Sequence, residues 1–254
     1  MNRIFTAMLV LSASLVAGCA ANPESPSDPW EPVNRKIYSF NRAVDKAILK
    51  PVTLQYDKWI PRPIDARVDS FISNLDDVVV VANDVLQLKM TQGARDTGRL
   101  AINSTIGLLG LFDVASSMGL HKNDEDFGQT LGYWGVPTGP YVMLPFLGPS
   151  TVRDAVGDTV DGYIALDDII FEHDIDRVGF RGVELINKRQ SFLDQEKLLE
   201  ESFDEYVFLR DVYLQRREFL VRDGAIETDQ SDNIDYGDDE DLDDIESALE
   251  AEFN

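Results

Sequence analysis

The sequence predicts an all-α fold, on three observations. Apolar residues recur at spacings of three and four along most of the chain, and no segment alternates convincingly as a strand does. The uncharged stretches between the helical patterns are broken repeatedly by Gly and Pro. The 254 residues, 44% of them hydrophobic, suffice for one large or two small domains with a core. Net charge is −23, of which the segment from Glu227 to Asn254 carries −13 with no Lys or Arg, leaving −10 for residues 1–226. A body this acidic is a poor partner for nucleic acid, which rewards cations at its phosphates. It is equally poorly suited to electrostatic adsorption on anionic lipid. Any hold on a membrane has to be apolar.

The N-terminus reads as an export address. Arg3 precedes an apolar run from Ile4 to Val16, 13 residues and too short to span a bilayer. It ends in Val16-Ala17-Gly18-Cys19, which resembles the lipobox cut by the lipoprotein signal peptidase. Cys19 is the only cysteine, and an unpaired cysteine in an exported chain calls for a chemical role. Cleavage before Cys19 with a diacylglycerol on its thiol supplies one, and no cofactor besides that covalent lipid is expected. More than one acyl chain, at about 0.8 kcal/mol per buried CH₂, anchors stably. Ala20 in the next position resembles lipoproteins forwarded to the outer membrane. The expected organisation is a signal peptide over 1–18, a lipidated tether over 19–27, a helical domain over 28–224, and an acidic, compositionally disordered tail over 225–254.

Within the helical domain, Asp28-Pro29-Trp30-Glu31 predicts a helix start, with Asp28 as N-cap and Glu31 completing a capping box. Val33, Ile37, Phe40, Val44 and Ile48 give its apolar face, and Pro51 is expected to end it. A short amphipathic piece follows with Val52, Tyr56, Trp59 and Ile60. The next helix is expected from about Ile64 to Leu88, with Ile64, Val68, Phe71, Leu75, Val79, Ala82 and Leu86 in phase through the β-branched run Val78–Val81. From Thr91 on, Gly93, Thr97, Ala101 and Thr105 form a row of small residues of the kind that lets helices approach. Leu100–Phe112 is uncharged for 13 residues and suits a re-entrant or interfacial piece. Further helices are expected over Val152–Tyr163, about Ile175–Phe192, and from a capping box at Ser202 and Glu205 to just before Gly224.

The stretch FGQTLGYWGVPTGPYVMLPFLGPSTV, from Phe127 to Val152, has 26 residues and no charge, but nine are Gly or Pro. No continuous helix survives that density of breakers. Two readings stand: a buried loop of a soluble domain, or backbone at membrane depth that packs on protein or lines a wet cavity.

Motifs for catalysis are missing from the sequence. It has no phosphate-binding P-loop and no Gly-x-Ser-x-Gly elbow, and His121 and His173 lack ligand-spaced partners. Asp124, Glu125 and Asp126 miss the spacing of a calcium loop and read as a solvated turn. Asp167 and Asp168 are adjacent and would point to different helix faces. Neither an enzyme nor a metal site is expected.

Longer strings carry a resemblance. Asp28-Pro29-Trp30-Glu31-Pro32-Val33-Asn34-Arg35 and Tyr38-Ser39-Phe40-Asn41 are followed by Asn103-Ser104-Thr105-Ile106-Gly107 and Phe112-Asp113-Val114-Ala115. Then come Phe127-Gly128-Gln129-Thr130-Leu131-Gly132, Gly139-Pro140-Tyr141-Val142-Met143-Leu144-Pro145 and Leu147-Gly148-Pro149-Ser150-Thr151-Val152-Arg153-Asp154. The chain resembles the MlaA (VacJ) family of outer-membrane lipoproteins over about Asp28 to Asp223. That resemblance implies a ring of amphipathic helices lying in the outer membrane around a central pore. It implies removal of misplaced phospholipids from the outer leaflet to a soluble periplasmic lipid carrier of the Mla system, with trimeric porins alongside. Ser39, Phe40 and Asn41 match the family's motif on the first helix and are expected to set the pore's opening. On periodicity alone, Phe40 reads instead as core on the Val33 and Ile37 stripe. Tyr141, Val142, Met143, Leu144, Pro145 and Phe146 are expected along the lipid route. The competing expectation is a scaffolding lipoprotein that tethers the outer membrane to a periplasmic partner.

Overall fold

Pro51 does not end the first helix. In the structure, a computed structural model that describes residues 26–165, 170, 173–193 and 195–224, α1 (Glu31–Val44) passes through a π-helical turn, Asp45–Leu49, directly into α2 (Lys50–Trp59). Pro51 lacks an N–H, and in a regular helix its ring would strike the carbonyl four residues back. The wider turn, in which the Lys50 N–H reaches the Asp45 carbonyl, provides the room. At the other end, Trp30 and not Asp28 occupies the N-cap and makes no side-chain cap bond. Asp28 is instead fully buried, and Glu31 pairs with Arg35 at 2.7 Å.

The remaining helices fall close to their expected spans: α3 (Arg62–Leu86), α4 (Met90–Thr105), α5 (Val114–Ser117), α6 (Phe127–Tyr133), α7 (Val152–Ile164), α8 (Asp174–Ser191), α9 (Glu196–Glu200) and α10 (Glu205–Val221). Asp113, Asp126, Thr151 and Asp204 each cap a helix start by accepting first-turn N–H groups. At α10 that cap replaces the box expected from Ser202 and Glu205. α3 and α4 pack on one another through the turn Gln87–Lys89, and α6 packs on α7. Gly157 of α7 lies so close to α6 that a Cβ there would fall 2.4 Å from the Gly128 amide nitrogen. The small-residue row on α4 divides: Gly93 is buried, whereas Thr97, Ala101 and Thr105 face outward.

The helical class holds, with one feature that periodicity did not show. Within the Gly- and Pro-rich stretch, β1 (Tyr141–Leu144) pairs antiparallel with β2 (Gly148–Thr151), Tyr141 opposite Thr151 and Leu144 opposite Gly148. Four-residue strands made of Gly, Pro, Ser and Thr on one side carry no alternating apolar signal. Tyr141 and Met143 form a small core with Tyr206 of α10, against which Ile37, Tyr38 and Tyr213 pack.

Elsewhere the usual distribution of side chains is inverted. Among the described residues six hydrophobic side chains are buried, against eighteen polar or charged ones. On α3 the buried positions are Ile72, Asn74, Asp77, Val80, Asn83 and Asp84, while Ile64 and Leu86 of the apolar stripe are exposed. Buried polar groups on this scale are unusual for a water-soluble core. All described residues but Gly224 belong to one compact unit; Cys19, the leader, Asp167, Asp168 and the acidic tail lie outside the described residues.

Candidate functional site

The structure brings the two groups of expected site residues together. Asn41 of α1 donates from Nδ2 to the Leu144 carbonyl and accepts the Phe146 N–H, both at 2.9 Å. Two turns earlier, Asn34 donates to the Tyr141 carbonyl at 3.1 Å and accepts the Met143 N–H at 3.0 Å. The edge of β1 that β2 leaves open is thereby closed, with the Tyr141 N–H reaching the Ser27 carbonyl at 2.8 Å. Phe40 and Phe146 meet edge to face, centroids 5.2 Å apart and planes at 83°. Both rings are open to the surroundings, at 45% and 64% exposure, so Phe40 is not core. Phe146 sits at the hairpin tip after Pro145 with φ at +65°, a left-handed conformation unusual for a bulky residue.

The other expected residues divide. Pro145 is exposed beside Phe146, and Val142 and Leu144 are half-buried. Tyr141 and Met143 are buried in the small core. Ser39 is exposed and donates its hydroxyl to the Arg35 carbonyl at 2.9 Å.

Beneath the hairpin lies a polar interior that sequence reasoning missed. Asp28 accepts from Asn34 at 2.8 Å and from the Tyr206 hydroxyl at 2.5 Å, with Arg210 at 3.5 Å. Burial, then the hydrogen bond to Asp28, drives the Tyr206 phenol well above its ordinary pKa, so it remains a donor. Arg217 of α10 bridges Asp126 and Asp154, each at 2.9 Å. Burial alone would raise the Asp126 carboxyl, but the hydrogen bond and charge of Arg217, with Gln129, hold it below the ordinary value. Of the triplet expected as a solvated turn only Asp124 is exposed: Asp126 is half-buried, and Glu125 is buried and accepts from Gln87 and Lys89, both at 2.7 Å.

A third group joins α3, α4 and α5. Arg99, nearly fully buried, donates to Asp77 at 3.1 Å and to Asp113 at 2.9 Å. A chain of bonds runs from Gln87 through Thr130 to Asn83 and on to Asp161. The signal for these groups was present in the periodicity. Asn74, Asp77, Asp84 and Gln87 fall at helical spacing on the face opposite the apolar stripe, and Asp96, Arg99 and Asn103 repeat at three and four along α4.

The outer surface is apolar in return. Ile106, Leu108 and Leu109 project from the turn after α4, and Leu147 from the hairpin tip, each at least 60% exposed. Large apolar side chains left this exposed mark contacts with lipid or with another protein.

The family model described as MlaA lipoprotein matches residues 26–220. The intermembrane phospholipid transport system lipoprotein MlaA of Escherichia coli K12 is 34% identical over 247 residues, covering 94% of this chain and 97% of that protein. The protein of the same name from Haemophilus influenzae is 29% identical over 233 residues, covering 89% and 92%. A solved structure, described as the structural basis for maintenance of bacterial outer membrane lipid asymmetry, superposes with a TM-score of 0.70. It is 34% identical and covers 77% of this chain and 99% of its own. The chain belongs to the MlaA lipoprotein family.

Proposed function

We propose that this protein works in an intermembrane phospholipid transport system at the outer membrane. There it takes phospholipids misplaced in the outer leaflet through an amphipathic pore and so maintains lipid asymmetry. The names of its relatives support this reading. The observation that carries it is the inversion of the fold, with carboxylates, amides and guanidinium groups inside and large apolar side chains outside. Among the described residues no helix is long and apolar enough to cross a membrane. Amphipathic helices lying in the bilayer plane, apolar faces in lipid, fit both facts.

A phospholipid's charged head group costs several kcal/mol or more to move through hydrocarbon, while its tails are at home there. A ring of helices with a polar interior and a greasy exterior separates the two requirements. The head group moves along hydrogen-bonding side chains, and the tails trail against the apolar wall. In this reading Phe40 and Phe146 form a gate at the hairpin tip, and Asn41 holds the tip in register. The covalent lipid on Cys19, the periplasmic carrier that receives the cargo and the neighbouring trimeric porins belong to the same proposal. Direction comes from the carrier's affinity.

The test is a deletion strain complemented with wild-type protein, with outer-leaflet phospholipid as the readout. Loss of the gene raises that phospholipid, and the wild-type copy lowers it. Equal levels with and without the protein would leave only a tether. A Cys19→Ser form separates the readings again: a soluble tether is released, whereas an embedded ring still needs detergent.

A further inference from the structure

One face of α4 takes no part in the polar interior. A surface cavity of about 600 Å³ runs along its first turns, lined by Met90, Thr91, Ala94, Arg95 and Gly98, with Leu120 across from them. Positions 90, 94 and 98 are spaced by four, so the cavity is a groove lying along one side of the helix. The groove is shallow and open along its length, so it suits an elongated ligand lying on the surface and not an enclosed small molecule. Apart from Thr91 and Arg95 its walls are apolar, and Leu88 and Met118, each two residues before a lining position, are exposed. Leu120 closes in at the Gly98 end: a Cβ at Gly98 would meet its Cδ1 at an ordinary 3.8 Å.

Arg95 is the unusual member. The chain carries a net charge of −23, and Arg99, one turn along the same helix, holds two carboxylates. Among the described residues Arg95 has no hydrogen bond, ion pair or ring contact. Its neighbour Asp96 turns inward, is buried, and accepts from Gln92 at 2.9 Å. The groove thus presents a guanidinium that no described residue pairs with, at the side of an apolar trough. That combination fits an anion joined to a hydrocarbon chain. A small soluble anion would gain nothing from the trough, and a peptide would need more hydrogen-bonding groups than Thr91 and Arg95 provide.

We propose that the α4 groove is a phospholipid seat, with the lipid phosphate on the Arg95 guanidinium and an acyl chain along Met90, Ala94, Gly98 and Leu120. A planar guanidinium is the side chain best matched to phosphate oxygens, which it meets through paired N–H donors. The inference rests on the transport reading and gives it a holding point at a specific helix face.

The test uses the full-length, lipidated protein in vesicles of phosphatidylglycerol that contain a tracer lipid with a photoreactive acyl chain. After irradiation, labelled peptides are mapped, and groove label is measured relative to label elsewhere on the protein. The wild type carries label on the segments around Met90–Gly98 and Leu120. Arg95→Gln and Ala94→Trp each lower the groove label about tenfold, the size expected for loss of one charged phosphate contact or of the trough. Both positions are exposed, so both variants keep the wild-type melting temperature. Groove label that is the same in wild type and both variants overturns the seat, as does displacement of the lipid by inorganic phosphate alone. Label on other segments but none in the groove removes the seat and leaves transport standing. A wild-type protein that takes no lipid label anywhere removes both.

Discussion

Asn34 and Asn41, two helical turns apart on α1, hold the edge and the tip of the hairpin by the same pairing. Each side-chain amide gives an N–H to one backbone carbonyl, of Tyr141 or Leu144, and takes the N–H of the residue two further on, Met143 or Phe146. The two asparagines act as a third strand supplied by side chains. A two-stranded hairpin is marginal by itself, so this grip fixes where Phe40 and Phe146 stand.

The two sites differ in burial, and replacements there separate accordingly. Asn34 is buried and also serves Asp28, so Asn34→Ala strands several polar groups and costs about 3 kcal/mol. Asn41 is half-exposed, water replaces it, and Asn41→Ala costs about 1 kcal/mol. Its larger effect is on motion: amide exchange at Leu144–Leu147 quickens while α1 is unchanged. Equal melting temperatures for the two variants would contradict the difference in burial.

At the tip, Phe146 combines a ring contact with a left-handed backbone. Phe146→Ala loses the edge-to-face contact, worth about 0.5–1.5 kcal/mol, and keeps the strained φ. Phe146→Gly loses the contact and relieves the strain, so it is the more stable of the two by about 1 kcal/mol. Phe40→Ala at normal protein abundance changes outer-leaflet phospholipid if the ring pair gates the route. Unchanged phospholipid would return Phe40 to a packing role.

Gly157 sets the distance between α6 and α7. A methyl group there would stand 2.4 Å from the Gly128 nitrogen and 2.8 Å from its Cα, both backbone atoms with no freedom to swing aside. Gly157→Ala forces the helices apart and breaks the register of Arg217 with Asp126 and Asp154. The expected loss is about 3 kcal/mol, at the upper end for overpacking, read as a drop in melting temperature. Gly162→Ala, with open space around it, is the control and leaves stability unchanged or slightly raised.

Asp84 gives a pH dependence of the less usual sign. It is fully buried, and neither carboxylate oxygen has a hydrogen-bond partner. Burial first, and the Asp96 carboxylate second, push its pKa above the ordinary value. Where the unfolded chain is ionised and the folded chain still holds the proton, stability falls as pH rises, beginning near the ordinary Asp value of about 3.9. Asp84→Asn removes that loss. The variant melts above the wild type at pH 8, by about 2–4 °C for each kcal/mol recovered, and the gap narrows toward pH 4. A gap that does not change with pH would show that Asp84 is ionised throughout.

The sequence by itself determined where helices run and where they cannot. Spacing placed α3, α7, α8 and α10 to within a few residues, because a helix writes its period into the chain wherever one face differs from the other. The strings from Asp28 to Asn41 and from Phe127 to Asp154 carried the family resemblance, and the structure placed Phe40 and Asn41 against the hairpin tip. Only the tertiary structure decided which face turns inward. Periodicity marks two faces but not the solvent each will meet, and Asp77 is buried because Arg99 and Lys122 come to it from other segments. Strand β1 was invisible for a related reason. Its partners are β2, which has no apolar alternation, and two asparagines more than a hundred residues upstream, and no local pattern records a pairing made at that distance.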